Sequence, residues 1–127
     1  MDKEEPIKAE IVLYQDENSS VPVEVRYLNE TFWLTQEEIA SLFAVDRSVI
    51  SKHLKNIYES DELVEECTCA FFAHVGSDRQ TYRTKIYDLD AIIAVGYRVN
   101  SKQATRFRQW ATATLKEYIQ SSYGMRK

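Results

Sequence analysis

The sequence predicts an α+β fold: a winged helix-turn-helix with a small N-terminal antiparallel sheet before it and two helices after it. Three observations lead there. In "TQEEIASLFAVDRSVISKHLKN", residues 35–56, apolar residues recur at helical spacing, stop at a short turn and resume. Ahead of it lie short segments of strand character, and behind it "CTCAFFAHV" and "RQTYRTKIY" flank "GSD" like the arms of a β-hairpin. The chain has 127 residues, enough for one domain with a real core.

The elements follow in order. "AEIVLY", residues 9–14, and "VPVEVRYL", residues 21–28, are expected as strands separated by the turn-rich "QDENSS". In the second, Val21, Val23, Val25 and Tyr27 alternate with Pro22, Glu24, Arg26 and Leu28, so one face is buried, and Pro22 suits the start or edge of a strand. "TFWL" adds a third strand after Asn29 and Glu30. Thr35 and Glu38 then form a Thr-x-x-Glu capping box that opens a helix with Ile39, Leu42 and Phe43 inside. "AVD" turns the chain, and Asp46 is placed to cap a second helix running to about Tyr58.

In that second helix Ile50, Leu54 and Ile57 point inward, while Ser48, Ser51, Lys52 and Lys55 fall on the opposite side. Ala40 lets the two helices approach, Val45 closes the turn, and Ala44 stands where glycine is commonest. His53 occupies a position that is usually aliphatic, with no nucleophile or carboxylate spaced to partner it. After the acidic "ESDELVEE", residues 59–66, the hairpin spans 67–87, with Gly76 expected to supply its turn. Alternation puts Arg79, Arg83 and Lys85 on one face of it and Tyr82 and Ile86 on the other. "DLDAIIAVGYRV" is a short helix beginning near Asp88. "NSKQATRFRQWATATLKEYIQ" is a longer one with Ala104, Phe107, Ala111, Leu115 and Tyr118 as its inner stripe.

Composition narrows the function classes. No apolar run approaches a membrane span, and the charged N-terminal "MDKEEPIKAE" does not resemble a secretory signal, so a cytoplasmic protein is expected. Cys67 and Cys69, on one face of a strand, would have α-carbons roughly 6.6 Å apart, at the edge of disulfide reach; they are expected as buried thiols. His53 and His74 lack the paired spacing of a zinc site, so no metal and no cofactor is expected. There is no phosphate-binding glycine loop, no Gly-x-Ser-x-Gly and no His-Glu-x-x-His, so the chain is not expected to be an enzyme.

The net charge is −4, which argues against a polyanion partner, but its distribution weakens that objection. Residues 1–45 hold three lysines or arginines against ten acidic residues; residues 46–127 hold thirteen against ten. Local patches, not totals, decide where an anion docks. The expected function is binding of double-stranded DNA in transcriptional or mobile-element regulation. Residues 46–58 form the recognition helix and the basic hairpin forms the wing. Arg47, Ser48, Ser51, Lys52 and Lys55 would face the groove, Arg79 and Arg83 would clamp the backbone, and Thr35 and Gln36 would meet a phosphate at the start of the first helix. A single module has a small footprint, so a homodimer on two half-sites is expected, with Phe107, Trp110, Tyr118 and Ile119 at its contact. Residues 1–8 would be a flexible tail, 9–120 the DNA-binding domain, and 121–127 a frayed tail or the start of a further region. The alternative is a protein-interaction module in which the helix-turn-helix is structural.

The segments "VEVRYLNETFWLTQEEIASLFAVDRSVISKHLKNIYE", "TYRTKIYDLDAIIAVGYRVNSKQATRFRQWAT" and "LKEYI" resemble the RhuM family of bacterial virulence-associated proteins over nearly the whole chain. The last two helices are also similar, more weakly, to Bro-N-type domains of phage antirepressors. The resemblance implies an N-terminal DNA-binding module found near mobile elements and host-interaction loci, in proteins generally longer than this chain.

Overall fold

In the computed structural model, which describes residues 10–16 and 22–124, five strands form one antiparallel sheet and five helices accompany it. The expected tail 1–8, much of the turn 15–20 and the last residues of the tail 121–127 lie outside the described residues. Strands β1 (Glu10–Tyr14), β2 (Val23–Leu28) and β3 (Thr31–Leu34) pair in sequence order, with Val12 opposite Val25 and Tyr27 opposite Phe32. The β2–β3 turn places both Asn29 and Glu30 at positive φ, 54° and 63°, the geometry whose twist matches a two-residue hairpin.

Helix α1 (Gln36–Phe43) starts at the predicted capping box: the Glu38 amide donates to Thr35 Oγ1 at 3.1 Å and the Thr35 amide donates to Glu38 Oε1 at 2.8 Å. It ends at Ala44, which is left-handed at φ 56°. Helix α2 (Arg47–Glu59) follows. Asp46 is its N-cap residue, but its side chain makes no capping bond to the helix amides; it accepts a long 3.5 Å bond from the Ser48 hydroxyl.

The acidic stretch contains a helical turn the sequence did not suggest, α3 (Glu65–Thr68). Cys67 therefore sits in a helix and is exposed, and only Cys69 begins the strand, so the same-face pairing of the two thiols is not realised. Strands β4 (Cys69–Val75) and β5 (Thr81–Asp88) make the predicted hairpin. The left-handed residue of its loop is Arg79 at φ 67°, not Gly76. Gly76 instead lies close under a side chain: a Cβ there would stand 2.7 Å from the Tyr82 ring, which would have to shift.

The hairpin is not a separate wing beside an N-terminal sheet. β5 pairs with β3 through Trp33–Asp88 and Leu34–Tyr87, joining both halves in the order β1-β2-β3-β5-β4. Asp88 ends β5 and caps α4 (Leu89–Val99), accepting from the Ala91 amide at 3.1 Å. One residue, Asn100, separates α4 from α5 (Ser101–Gly124), and its side chain accepts from the Gln103 amide.

The core lies between one sheet face and the helices. Val25, Phe32, Leu34, Ile39, Ile50, Ile57, Ile92, Val95 and Phe107 are fully enclosed there, among others. Phe107 and Trp110 of α5 pack on Tyr14, and Trp110 also stacks on Phe32, with ring centroids 5.2 Å apart at 18°. Tyr118 packs on Tyr27 at 4.8 Å. The rings expected at a dimer contact thus cover the sheet of their own chain. Phe107 is wholly buried, and Trp110, Tyr118 and Ile119 are half-buried. Among the described residues no helix is long and apolar enough to cross a membrane.

Candidate nucleic-acid interface

The candidate surface is built on α2. At 3.6 residues per turn, Arg47, Ser48, Ser51, Lys52 and Lys55 occupy about 140° of its circumference. All five are exposed, while Ile50, Leu54 and Ile57 bury the opposite side. Among the described residues no hydrogen bond or ion pair holds the side chains of Arg47, Lys52 or Lys55. His53 lies between these faces, half-buried, and its Nδ1 finds no hydrogen-bond partner among the described residues.

Other predicted contacts are committed to the fold. Gln36 donates from Nε2 to the Tyr87 hydroxyl at 2.9 Å and accepts from the Ser51 hydroxyl at 2.8 Å. It is a strut that ties the start of α1 to α2 and to β5. Thr35 has its hydroxyl and its amide engaged in the capping box. Glu38 does double duty, because Arg26 of β2 reaches both of its carboxylate oxygens, at 2.6 and 3.0 Å. This two-point pair fastens the helix start to the sheet.

On the hairpin, Arg79 belongs to the loop and not to the strand face shared by Arg83 and Lys85. Arg83 is exposed and lies over the Phe71 ring, its guanidinium carbon 4.6 Å from the centroid. Lys85 bonds the Glu65 carboxylate of α3, and this bond is the main reason its ammonium is held above the ordinary lysine range. Between α2 and β5 runs a groove of about 350 Å³, lined by Lys55, Tyr58, Glu59, Glu65, Lys85 and Tyr87 among others. Tyr58 at its edge is desolvated, which raises its hydroxyl well above the usual range.

Both arginines of α5 among the described residues bond within the chain, although Arg108 is exposed. Arg106 grips the buried Asp16 carboxylate with two nitrogens, at 2.9 and 3.0 Å, and Arg108 donates to the Tyr97 hydroxyl. Sequence reasoning missed Tyr87 and Glu65, which organise the groove. The tyrosine is one of eight, and nothing local distinguishes it; the glutamate was visible only as part of an acidic run. Among the described residues no group of three or more histidine, cysteine or acidic side chains is arranged to hold a metal ion.

No curated protein and no solved structure matches the chain. The similarity of the closing helices to Bro-N-type domains stays a resemblance of sequence. The hairpin, α4 and α5 lie within residues 67–127, which match the model of the Virulence protein RhuM family.

Proposed function

We propose that the chain binds duplex DNA as a regulator of transcription or of a mobile element. Helix α2 would enter the major groove and the β4–β5 hairpin would lie along the backbone as a wing. One observation carries this: Arg47, Lys52 and Lys55 project together from the solvent face of a helix that is braced on its other side by α1, and no carboxylate among the described residues pairs with them. The topology supports the winged form. Helices α1 and α2 lie between β3 and β4 in the chain, and β5 bridges those two strands, so the hairpin emerges next to α2.

Arg47 and Lys52 are the best candidates for base or phosphate contacts, with Ser48 and Lys55 beside them and Arg79 and Arg83 on the wing. Ser51 and Gln36 act by holding α2 against the start of α1, which Thr35 caps. The test is binding to a random duplex pool as a function of salt, with Lys52→Ala and Arg83→Ala. Each variant is expected to lower the log-log salt slope by about 0.9. No binding at low salt would overturn the proposal.

The proposal includes a homodimer on two half-sites, whose contact must lie outside the enclosed Phe107. Sedimentation as a monomer at high concentration would remove that part. A second function is favoured by a specific observation: Phe71 and Val75 on the edge strand β4 are 50% and 70% exposed, a surface suited to a protein partner. Lys52→Glu with Lys55→Glu separates the two, abolishing DNA binding while leaving affinity for a protein at β4 unchanged.

A further inference from the structure

We propose that the acidic segment between α2 and β4 is a built-in competitor of DNA phosphate, in which Glu65 holds Lys85 out of the interface and so limits its affinity. The inference rests on the DNA-binding function above and adds its regulation. In the hairpin register Arg83 lies opposite Ala73 and Lys85 opposite Phe71, two residues apart on the same strand face. Lys85 would therefore be the next cation after Arg83 along the wing, on the side of the groove that faces α2. Its ammonium is already bound by the Glu65 carboxylate.

Glu65 is held in position by several bonds. Thr68, one turn later and buried, donates to the Val64 carbonyl at 2.9 Å and is bonded to the Tyr58 hydroxyl of α2 at 2.8 Å. The Cys69 thiol closes the same turn on the Glu65 carbonyl at 3.1 Å. These bonds fasten α3 to α2 at the edge of the groove. Glu59 lines the same groove beside Lys55, so carboxylates share it with both of its lysines. The segment also engages α4, through a 2.8 Å pair between Glu62 and Arg98.

The Lys85 and Glu65 side chains are 34% and 50% exposed. A pair this open contributes little to stability, so removing it spares the fold. To a polyanion, however, the freed lysine offers one complete additional contact.

The experiment measures duplex binding against salt for the full chain, for Glu65→Gln, for Glu66→Gln and for Glu65→Gln combined with Lys85→Ala, each checked by a thermal melt. Glu65→Gln is expected to steepen the log-log slope by about 0.9 and to tighten binding several-fold at low salt. Glu66→Gln, which makes the same change of net charge one residue away, is expected to do much less, and the double variant should lose the gain. Equal effects at Glu65 and Glu66 would overturn the latch in favour of bulk charge. An unchanged Glu65→Gln in a protein that binds DNA would overturn the latch and leave DNA binding standing. Absence of binding in all of the proteins would overturn both.

Discussion

Ala44 carries the turn between α1 and α2 at φ 56°, ψ 47°, where a Cβ is disfavoured. Its amide nevertheless donates to the Ser41 carbonyl and that of Val45 to the Ala40 carbonyl, so the helix end is closed as a glycine would close it. Ala44→Gly is expected to stabilise the protein by about 0.5–1 kcal/mol, read as a rise of a few degrees in Tm. Asp88 shows the opposite balance. Burial at the end of β5 raises its carboxyl to about 6, more than its bond from the Ala91 amide lowers it. Between the ordinary value of 3.8 and about 6 the folded chain keeps a proton that the unfolded chain has released, so this residue's contribution to stability falls as pH rises through that window. Asparagine caps as well and carries no charge. Asp88→Asn is therefore expected to be more stable than the parent at pH 7.5, and the advantage should vanish towards pH 4; denaturant unfolding at both pH values checks it.

At the scale of elements, the helices are set by close approaches that a glycine permits. In α4, a Cβ on Gly96 would stand 2.5 Å from Phe43 Cζ of α1 and 2.9 Å from the Ala104 Cβ of α5. Three helices meet at that point, and the alternatives are a shifted α1 or a displaced ring. Gly96→Ala should cost about 2–3 kcal/mol, measured by urea unfolding, and should weaken DNA binding in proportion to the lost fold. The capping box, the helical stripes and the hairpin arms were all legible in the sequence, because each depends on residues within a few positions of one another. The α3 turn was not, since "EECT" has no capping residue before it: its N-cap is Val64, with no side-chain bond. Its stability comes from Thr68 and Cys69 reaching Tyr58, ten and eleven positions away.

For the whole molecule, the joining of β3 to β5 has a mechanical consequence. The N-terminal strands and the hairpin share one sheet, and α5 covers the β1–β2–β3 end of it with Phe107 and Trp110. The protein is expected to unfold in one step, with fluorescence from Trp33 and Trp110 and the far-UV circular dichroism falling at the same temperature. Phe107→Ala should cost about 3–5 kcal/mol and lower both signals together; a hairpin that melted separately would show as two transitions.

By itself the sequence determined the helices and strands other than α3, including the two short helices with their turn and the cationic side of the second one. Those properties follow from side-chain periodicity and local capping, which act over a single turn or a single pair of strands. Tertiary structure decided which polar groups remain open to a ligand. Gln36 meets Tyr87 across 51 positions, Lys85 meets Glu65 across 20, and Arg106 meets Asp16 across 90. Such partners are chosen by the packing of distant elements, so nothing near Gln36 or Lys85 in the chain reveals that its polar end is already bound. The cations of α2 were correctly seen as exposed because the stripe that buries Ile50, Leu54 and Ile57 forces them outward. The rings of α5 suggest a dimer contact because a sequence shows that a helix has an apolar face, while only the folded chain shows that Phe107, Trp110 and Tyr118 pack on β1, β2 and β3 of the same chain.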